Sequence, residues 1–359
     1  MISINNTKTD KPARPPDIGG QAVIEGVMMK SPEAIAISVR RPDGSIARAY
    51  QKYVAPSKKY KQLGWPVIRG IVNMALMLML GVTTLDTSTK LLGLETEEPG
   101  KFEKWLSERL GLGIEKIVMG VAVVLALGLS MLLFMVIPSG IASLINGLTS
   151  NLLVVNLCAG IMRVAILIGY IWATGLIPDM KRVYMYHGAE HKTVHCHEHG
   201  LPLTPENARR FTTLHPRCGT SFLLLVMVIS VLLGAIADQL IYLIFGIARL
   251  SFPLRLLRSL ITLPLVAGVS YETLQGLAHS SSLLARALRW PGLMLQHLTT
   301  REPDDSMLEI AIDAMLRAMH GPRDAEAQSV TDSSPITAPM EEITPEPGSG
   351  LEPEVKPAS

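Results

Sequence analysis

Ile117-Val118-Met119-Gly120-Val121-Ala122-Val123-Val124-Leu125-Ala126-Leu127-Gly128-Leu129-Ser130-Met131-Leu132-Leu133-Phe134-Met135-Val136-Ile137 carries no charge, and none occurs anywhere between Lys116 and Arg163. A second charge-free run extends from Arg217 to Asp238. Soluble domains seldom tolerate such runs, whereas each bilayer-spanning helix needs roughly 20 consecutive apolar residues. The composition agrees: 359 residues, 48% hydrophobic and 18% charged, with a positive mean hydropathy. The fold class that follows is mainly α, a multi-spanning helical membrane protein. The net charge of +2 points to no class of partner, and three scattered cysteines give no disulfide framework.

The membrane domain is expected over 113–278, with spans at about 115–137 (stopping at Pro138), 152–177, 220–247 and 256–278. Arg163 falls within the second span and Asp238 within the third. Ionisable groups at such depth face the bundle interior and take partners, so Arg163 and Asp238 are expected to pair. The fourth span is the least apolar, because Glu272 lies in its last third. Residues 138–151 contain no Lys or Arg, while the loop 179–218 has Lys181, Arg182, Lys192, Arg209, Arg210 and Arg217. The positive-inside rule therefore places that loop and both termini on the cytoplasmic side of the inner membrane. Arg249, Arg255 and Arg258, at the outer edge, run against it. Segment 65–112 begins at Trp65-Pro66 and is interrupted by Arg69 and Asn73. It reads as amphipathic, interfacial helices, with a spanning or re-entrant helix at 65–90 as the alternatives.

Outside the membrane domain, residues 1–17 read as a disordered leader without the apolar core of a signal peptide. Residues 18–60 form a small N-terminal β unit. Strands are expected at 34–41 and 46–54, joined by the Asp-Gly turn signal in Pro42-Asp43-Gly44-Ser45. The glycines of Gly19-Gly20-Gln21-Ala22-Val23-Ile24-Glu25-Gly26 suggest close backbone approach or a tight turn, and Glu25 is either a paired charge or part of a site. Residues 279–320 read as surface helices and 321–359 as a disordered tail rich in Pro, Glu, Ser and Thr.

The chemistry concentrates in Tyr186-His187-Gly188-Ala189-Glu190-His191-Lys192-Thr193-Val194-His195-Cys196-His197-Glu198-His199, which holds five of the nine histidines. His187 and His191, four apart, share one face of a helix. With Glu190 they make H-x-x-E-H, the inverted zinc-peptidase pattern: two His bind the metal and Glu190 acts as general base. A divalent ion is implied, zinc first and manganese or iron as alternatives. Two imidazoles do not complete such a centre. Glu272 would reach the same side of the membrane if the fourth span runs inward, and it is the expected third metal ligand. His195 continues the ladder, and His197 and His199 follow it. In His215-Pro216-Arg217-Cys218-Gly219, His215 and Cys218 are further candidates, since cationic neighbours favour the thiolate that binds metals and attacks electrophiles. The plainer reading is a polar loop of solvated histidines.

Several motifs in one order resemble the bacterial YqhQ-like family of membrane proteins of unknown function. They are Gly-Gly-Gln-Ala-Val-Ile-Glu-Gly-Val-Met-Met at 19–29, Tyr-His-Gly-Ala-Glu-His at 186–191 and Leu-His-Pro-Arg-Cys-Gly-Thr-Ser-Phe at 214–222. Ser270-Tyr271-Glu272, Pro291-Gly292-Leu293 and the stretch 296–303 add to the match, which covers about 18–320. The resemblance implies a metal-dependent membrane enzyme and brings no substrate with it. Three functions stand: a metal-dependent hydrolase on the cytoplasmic side, a metal-handling or small-solute transporter, and a membrane scaffold with a structural metal clip. The chain has no phosphate-binding glycine loop, no G-x-S-x-G and no C-x-x-C, which argues against phosphoryl transfer, serine hydrolysis and dithiol chemistry. Membrane lipid is the one partner implied, and nothing points to nucleic acid.

Overall fold

The computed structural model describes residues 18–54, 60–93, 105, 109, 114–146, 152–247, 250–322 and 341–342. The expected leader, nearly all of the expected tail and most of 95–111 lie outside the described residues. Four antiparallel strands form a meander: β1 (Gly19–Val23), β2 (Gly26–Lys30), β3 (Ala34–Arg40) and β4 (Ile46–Lys52), with the two-residue β5 (Glu341–Glu342) added to β4. The β3–β4 hairpin is the one the Asp-Gly signal announces. The β1–β2 hairpin carries no such signal. Val23 pairs with Gly26, so the turn is Ile24-Glu25, with Glu25 at φ 52 where Gly or Asn is usual.

Helices follow in the order α1 (Ile68–Leu91), α2 (Ile114–Met131), a π turn at Leu132–Val136, α3 (Ile137–Asn146), α4 (Leu152–Thr174), α5 (Pro178–Glu198), α6 (Pro205–Arg209), α7 (Gly219–Phe245), α8 (Phe252–His279), α9 (Leu283–Thr299) and α10 (Asp305–His320). The sheet is a middle layer, and β3 is buried on both faces. On one side Val23, Met28, Ile35, Ile37 and Val39 pack with Leu80, Leu91 and Leu92 of α1 and its end. On the other, Val27, Met29 and Ala36 pack with Tyr186 and Ala189 of α5 and with Met307, Leu308, Ile310 and Met315 of α10. A buried polar joint ties α10 to the sheet: Asp313 accepts from Ser38 at 2.6 Å and from Arg48 Nε at 3.0 Å. Those bonds outweigh the effect of burial and hold its carboxyl below the usual range.

Among the described residues, four helices are long and apolar enough to cross a membrane, Ile68–Leu91, Gly120–Ile145, Leu157–Thr174 and Gly219–Phe245, and the chain is a membrane protein. Two of these differ from the expected spans. Helix runs on through Pro138, which the sequence reads as a stop. A proline frees the carbonyl four residues earlier, here Phe134; the π turn accommodates the break, and Arg163 Nε donates to that carbonyl at 3.3 Å. Arg163 therefore serves the helix break rather than Asp238, which pairs with Arg258 at 3.3 Å. The second difference is at the start of the series: α1 has the length and apolarity of a span, and α8, which covers the expected fourth span, packs along α7 and α1.

Candidate metal centre

α5 is a polar sequence in a buried place. Pro178 starts it, Asp179 sits in its first turn, and residues from Tyr184 onward are enclosed by β1, β2 and α10. Two glycines permit the close packing. A Cβ on Gly188 would lie 2.0 Å from the Arg301 carbonyl oxygen, and one on Gly20 would lie 2.8 Å from Glu190 Cγ. The segment after α9 thus crosses directly over α5, where Arg301 N donates to the Tyr184 carbonyl at 2.8 Å.

This crossing positions the first histidine. His187 Nδ1 lies 2.9 Å from the Thr299 carbonyl, so the ring donates there and leaves its Nε2 lone pair facing Cys218 Sγ at 3.2 Å. His191 is held in the same way, its Nδ1 donating to the Thr213 carbonyl. Its Nε2 is buried and has no hydrogen-bond partner. One donor atom from each of His187, His191 and Cys218 lies within 4.8 Å of the other two. Burial keeps His191 below the usual imidazole range, against an opposing pull from Cys218, so the ring is neutral. Cys218 caps the N-terminus of α7, where Thr220 N points at its sulfur. The loop before it is clamped by Gln296, which accepts from His215 N at 2.7 Å and donates to the His215 carbonyl at 2.8 Å.

The donor set fits a divalent transition metal. Around a tetrahedral zinc, nitrogen and sulfur ligands sit about 3.5 Å apart, close to the separation of His187 Nε2 and Cys218 Sγ. Carbonyls that fix Nδ1–H and free Nε2 are the usual outer support of ligating histidines. An orphaned, buried imidazole nitrogen costs about 1–3 kcal/mol unless something accepts its lone pair.

One turn further along α5, His195, Glu198 and His215 form a second group with donor atoms within 4.8 Å. Most of its polar atoms are already engaged. His195 Nε2 donates to the Leu214 carbonyl at 2.9 Å, His215 Nε2 to Glu198 at 3.3 Å, and His215 Nδ1 accepts from Arg217 N. Arg217 also pairs with Glu198. Burial would raise the Glu198 carboxyl, but His215 and Arg217 outweigh it and pull it down to about 2. A cation there would have to displace a guanidinium.

The other expected site residues are elsewhere. Glu272 is not beside the histidines: it binds Arg69 in bidentate fashion, at 2.7 and 2.6 Å, because α1 crosses α8 at that point. Glu190 turns to β1 and accepts from Gly20 N at 3.1 Å, and burial raises its carboxyl. Glu25 pairs with Arg182, docking the β1–β2 turn on α5. His199 donates to the carbonyl of His195, one turn back. His197 is buried and belongs to neither metal-capable group. Thr213, Thr299 and Gln296 went unsingled by sequence reasoning. The two threonines act through backbone carbonyls, which no residue type advertises.

Residues 65–321 match the family model described as "Protein of unknown function (DUF1385)". The chain belongs to the DUF1385 family. A curated relative, "Uncharacterized protein YqhQ" of Bacillus subtilis (strain 168), is 32% identical over 305 residues, covering 84% of this chain and 91% of the relative. No solved structure matches this DUF1385 chain.

Proposed function

We propose that this DUF1385 protein is a metal-dependent membrane enzyme, hydrolytic in type, with its centre at His187, His191 and Cys218 on the cytoplasmic side of the inner membrane. One observation carries the reading: two imidazoles, each tethered by Nδ1 to a backbone carbonyl, turn their Nε2 lone pairs on one thiol, and the buried one has no other partner. Three protein donors with a further position open are the pattern of catalytic rather than structural zinc sites. A divalent ion held there supplies Lewis acidity and a water with a pKa lowered towards 7. Thr213 and Thr299 orient the rings, Gln296 holds the Cys218 loop, and His187 is the half-buried member of the group. Glu190, engaged with Gly20, supports the helix–sheet joint rather than acting as base. The distribution of Lys and Arg supports the cytoplasmic assignment.

A structural clip is the second reading, favoured by the way the cluster ties α5, the 213–218 loop and the end of α9 together. The transporter reading lacks such support, because Arg163, Asp238 and Glu272 each have a local partner rather than lining a common path.

The test is cobalt(II) substitution of detergent-purified protein, after elemental analysis of wild type beside His187→Ala/His191→Ala. The enzyme reading expects about one equivalent of metal, lost in the double variant, and a sulfur-to-cobalt charge-transfer band lost in Cys218→Ser. It also expects acetohydroxamate to shift the visible cobalt bands by entering an open position. Bands indifferent to acetohydroxamate, together with a large fall in Tm on chelation, would support the clip. Failure of both proteins to retain metal would remove both readings.

A further inference from the structure

We infer that α1 is an in-plane membrane anchor: it lies along the bilayer surface with one face among the upper acyl chains and does not cross. Its two faces are inverted relative to a helix in water. The stripe at 80, 84, 87 and 91, with Ser88, is turned inward, and Thr84, Thr87 and Ser88 are buried. On the opposite stripe Leu78 is 65%, Val82 54% and Leu85 42% exposed, with Met79 beside them at 50%. Small polar residues inside and large apolar ones outside suit a face that meets acyl chains, not water.

Attachments at both ends exclude a crossing. At the C-terminal end, Leu80, Leu91 and Leu92 share one core with Val23, Met28, Ile35 and Ile37, and the Leu91 carbonyl accepts from Arg41 Nε at 2.8 Å. The last three turns of α1 are therefore bound to an open sheet, and open sheet edges do not occur in hydrocarbon. At the N-terminal end, α1 meets α8 backbone to backbone. A Cβ on Gly70 would lie 2.9 Å from Gly268 Cα, and one on Gly268 would lie 2.5 Å from Val67 Cγ1. Glu272 clamps this crossing, binding Arg69 and accepting from Val67 N at 3.2 Å. Val67 adopts φ 67, ψ −50, and Ile68 N donates to the Pro66 carbonyl at 2.8 Å, a strained γ-turn at a β-branched residue. That turn swings the chain from the exposed Trp65 into a helix leaving α8 for the sheet. The flanks suit an interface: Tyr60 and Trp65 are exposed at one end, and the Asp86–Lys90 pair closes the other. Continuity with α8 and the bare apolar stripe make the bilayer the occupant of this face.

The test uses full-length protein in lipid nanodiscs. Leu78, Val82 or Leu85 is replaced, one at a time, by p-acetylphenylalanine carrying a ketoxime nitroxide, and label depth is read from relaxation by oxygen and by a water-soluble nickel chelate. An in-plane helix gives three similar depths, roughly 5–10 Å into the headgroup–acyl boundary. A crossing helix separates 78 from 85 by about 10 Å, at 1.5 Å per residue, and that gradient would overturn the inference. So would nickel accessibility at all three positions, which means water, or shielding from both relaxants, which means a protein partner.

Discussion

Two clusters of nearly the same composition sit one turn apart on α5, and they differ in what their nitrogens lack. In the His195–Glu198–His215 group each donor finds an acceptor, and Arg217 neutralises the carboxylate. In the His187–His191–Cys218 group the backbone takes only the outer nitrogens, and the inner ones face one another across a thiol. The lesson is that ligand spacing alone does not mark a metal site. A satisfied cluster stabilises a loop, whereas a buried one with an orphaned nitrogen leaves a lone pair that a metal ion could take up.

The contrast breaks most directly on metal content. His191→Ala should lower zinc affinity more than 100-fold, since one of three ligands is lost, whereas His195→Ala should change it by less than about threefold; competition with a chromogenic chelator measures both. Equal losses would erase the distinction. Next in size is the stability of the metal-free protein. Glu198→Gln removes the negative charge that holds both His215 and Arg217 and should cost about 1–3 kcal/mol in denaturant or thermal unfolding. Cys218→Ser in the same metal-free state should cost less, because a serine hydroxyl can take over the contacts of the thiol with His187 Nε2 and Thr220 N. The smallest effect is a pH slope. The Glu198 carboxyl is pulled down to about 2 in the folded protein, so its stabilisation is complete above the usual carboxylate range and disappears as pH falls from about 4.5 towards 2. Acid unfolding followed by circular dichroism should therefore be shallower in Glu198→Gln than in wild type, with Asp313 and Asp304 among the carboxylates that supply the slope that remains.

The sequence makes the helix periodicity of His187 and His191 visible, along with the thiol at 218 and the apolar runs of the membrane domain. What it hides is of three kinds. Turn chemistry hides the β1–β2 hairpin, because Ile24-Glu25 places a glutamate, held by Arg182, at a positive φ where Gly or Asn is usual. Pairing hides the place of Glu272 and Asp238: a charge in an apolar run announces that it has a partner, not which one, and both partners are arginines on neighbouring helices. Motif logic misdirects Glu190. One residue before His191 is about 100° around the helix, enough to aim its carboxylate at Gly20 of the sheet.

Gly188 sets the order in which the molecule can be finished. The carbonyl that holds His187 belongs to Thr299, which lies 112 residues later in the chain, and it reaches α5 only where the strand-like segment around Arg301 lies against a residue with no side chain. The helices α7, α8 and α9 must all have left the ribosome and taken their places before that carbonyl arrives. During synthesis His187 therefore lacks its Nδ1 acceptor until that segment is in place, and on the proposed metal reading the centre would be completed only after α7, α8 and α9 have been made.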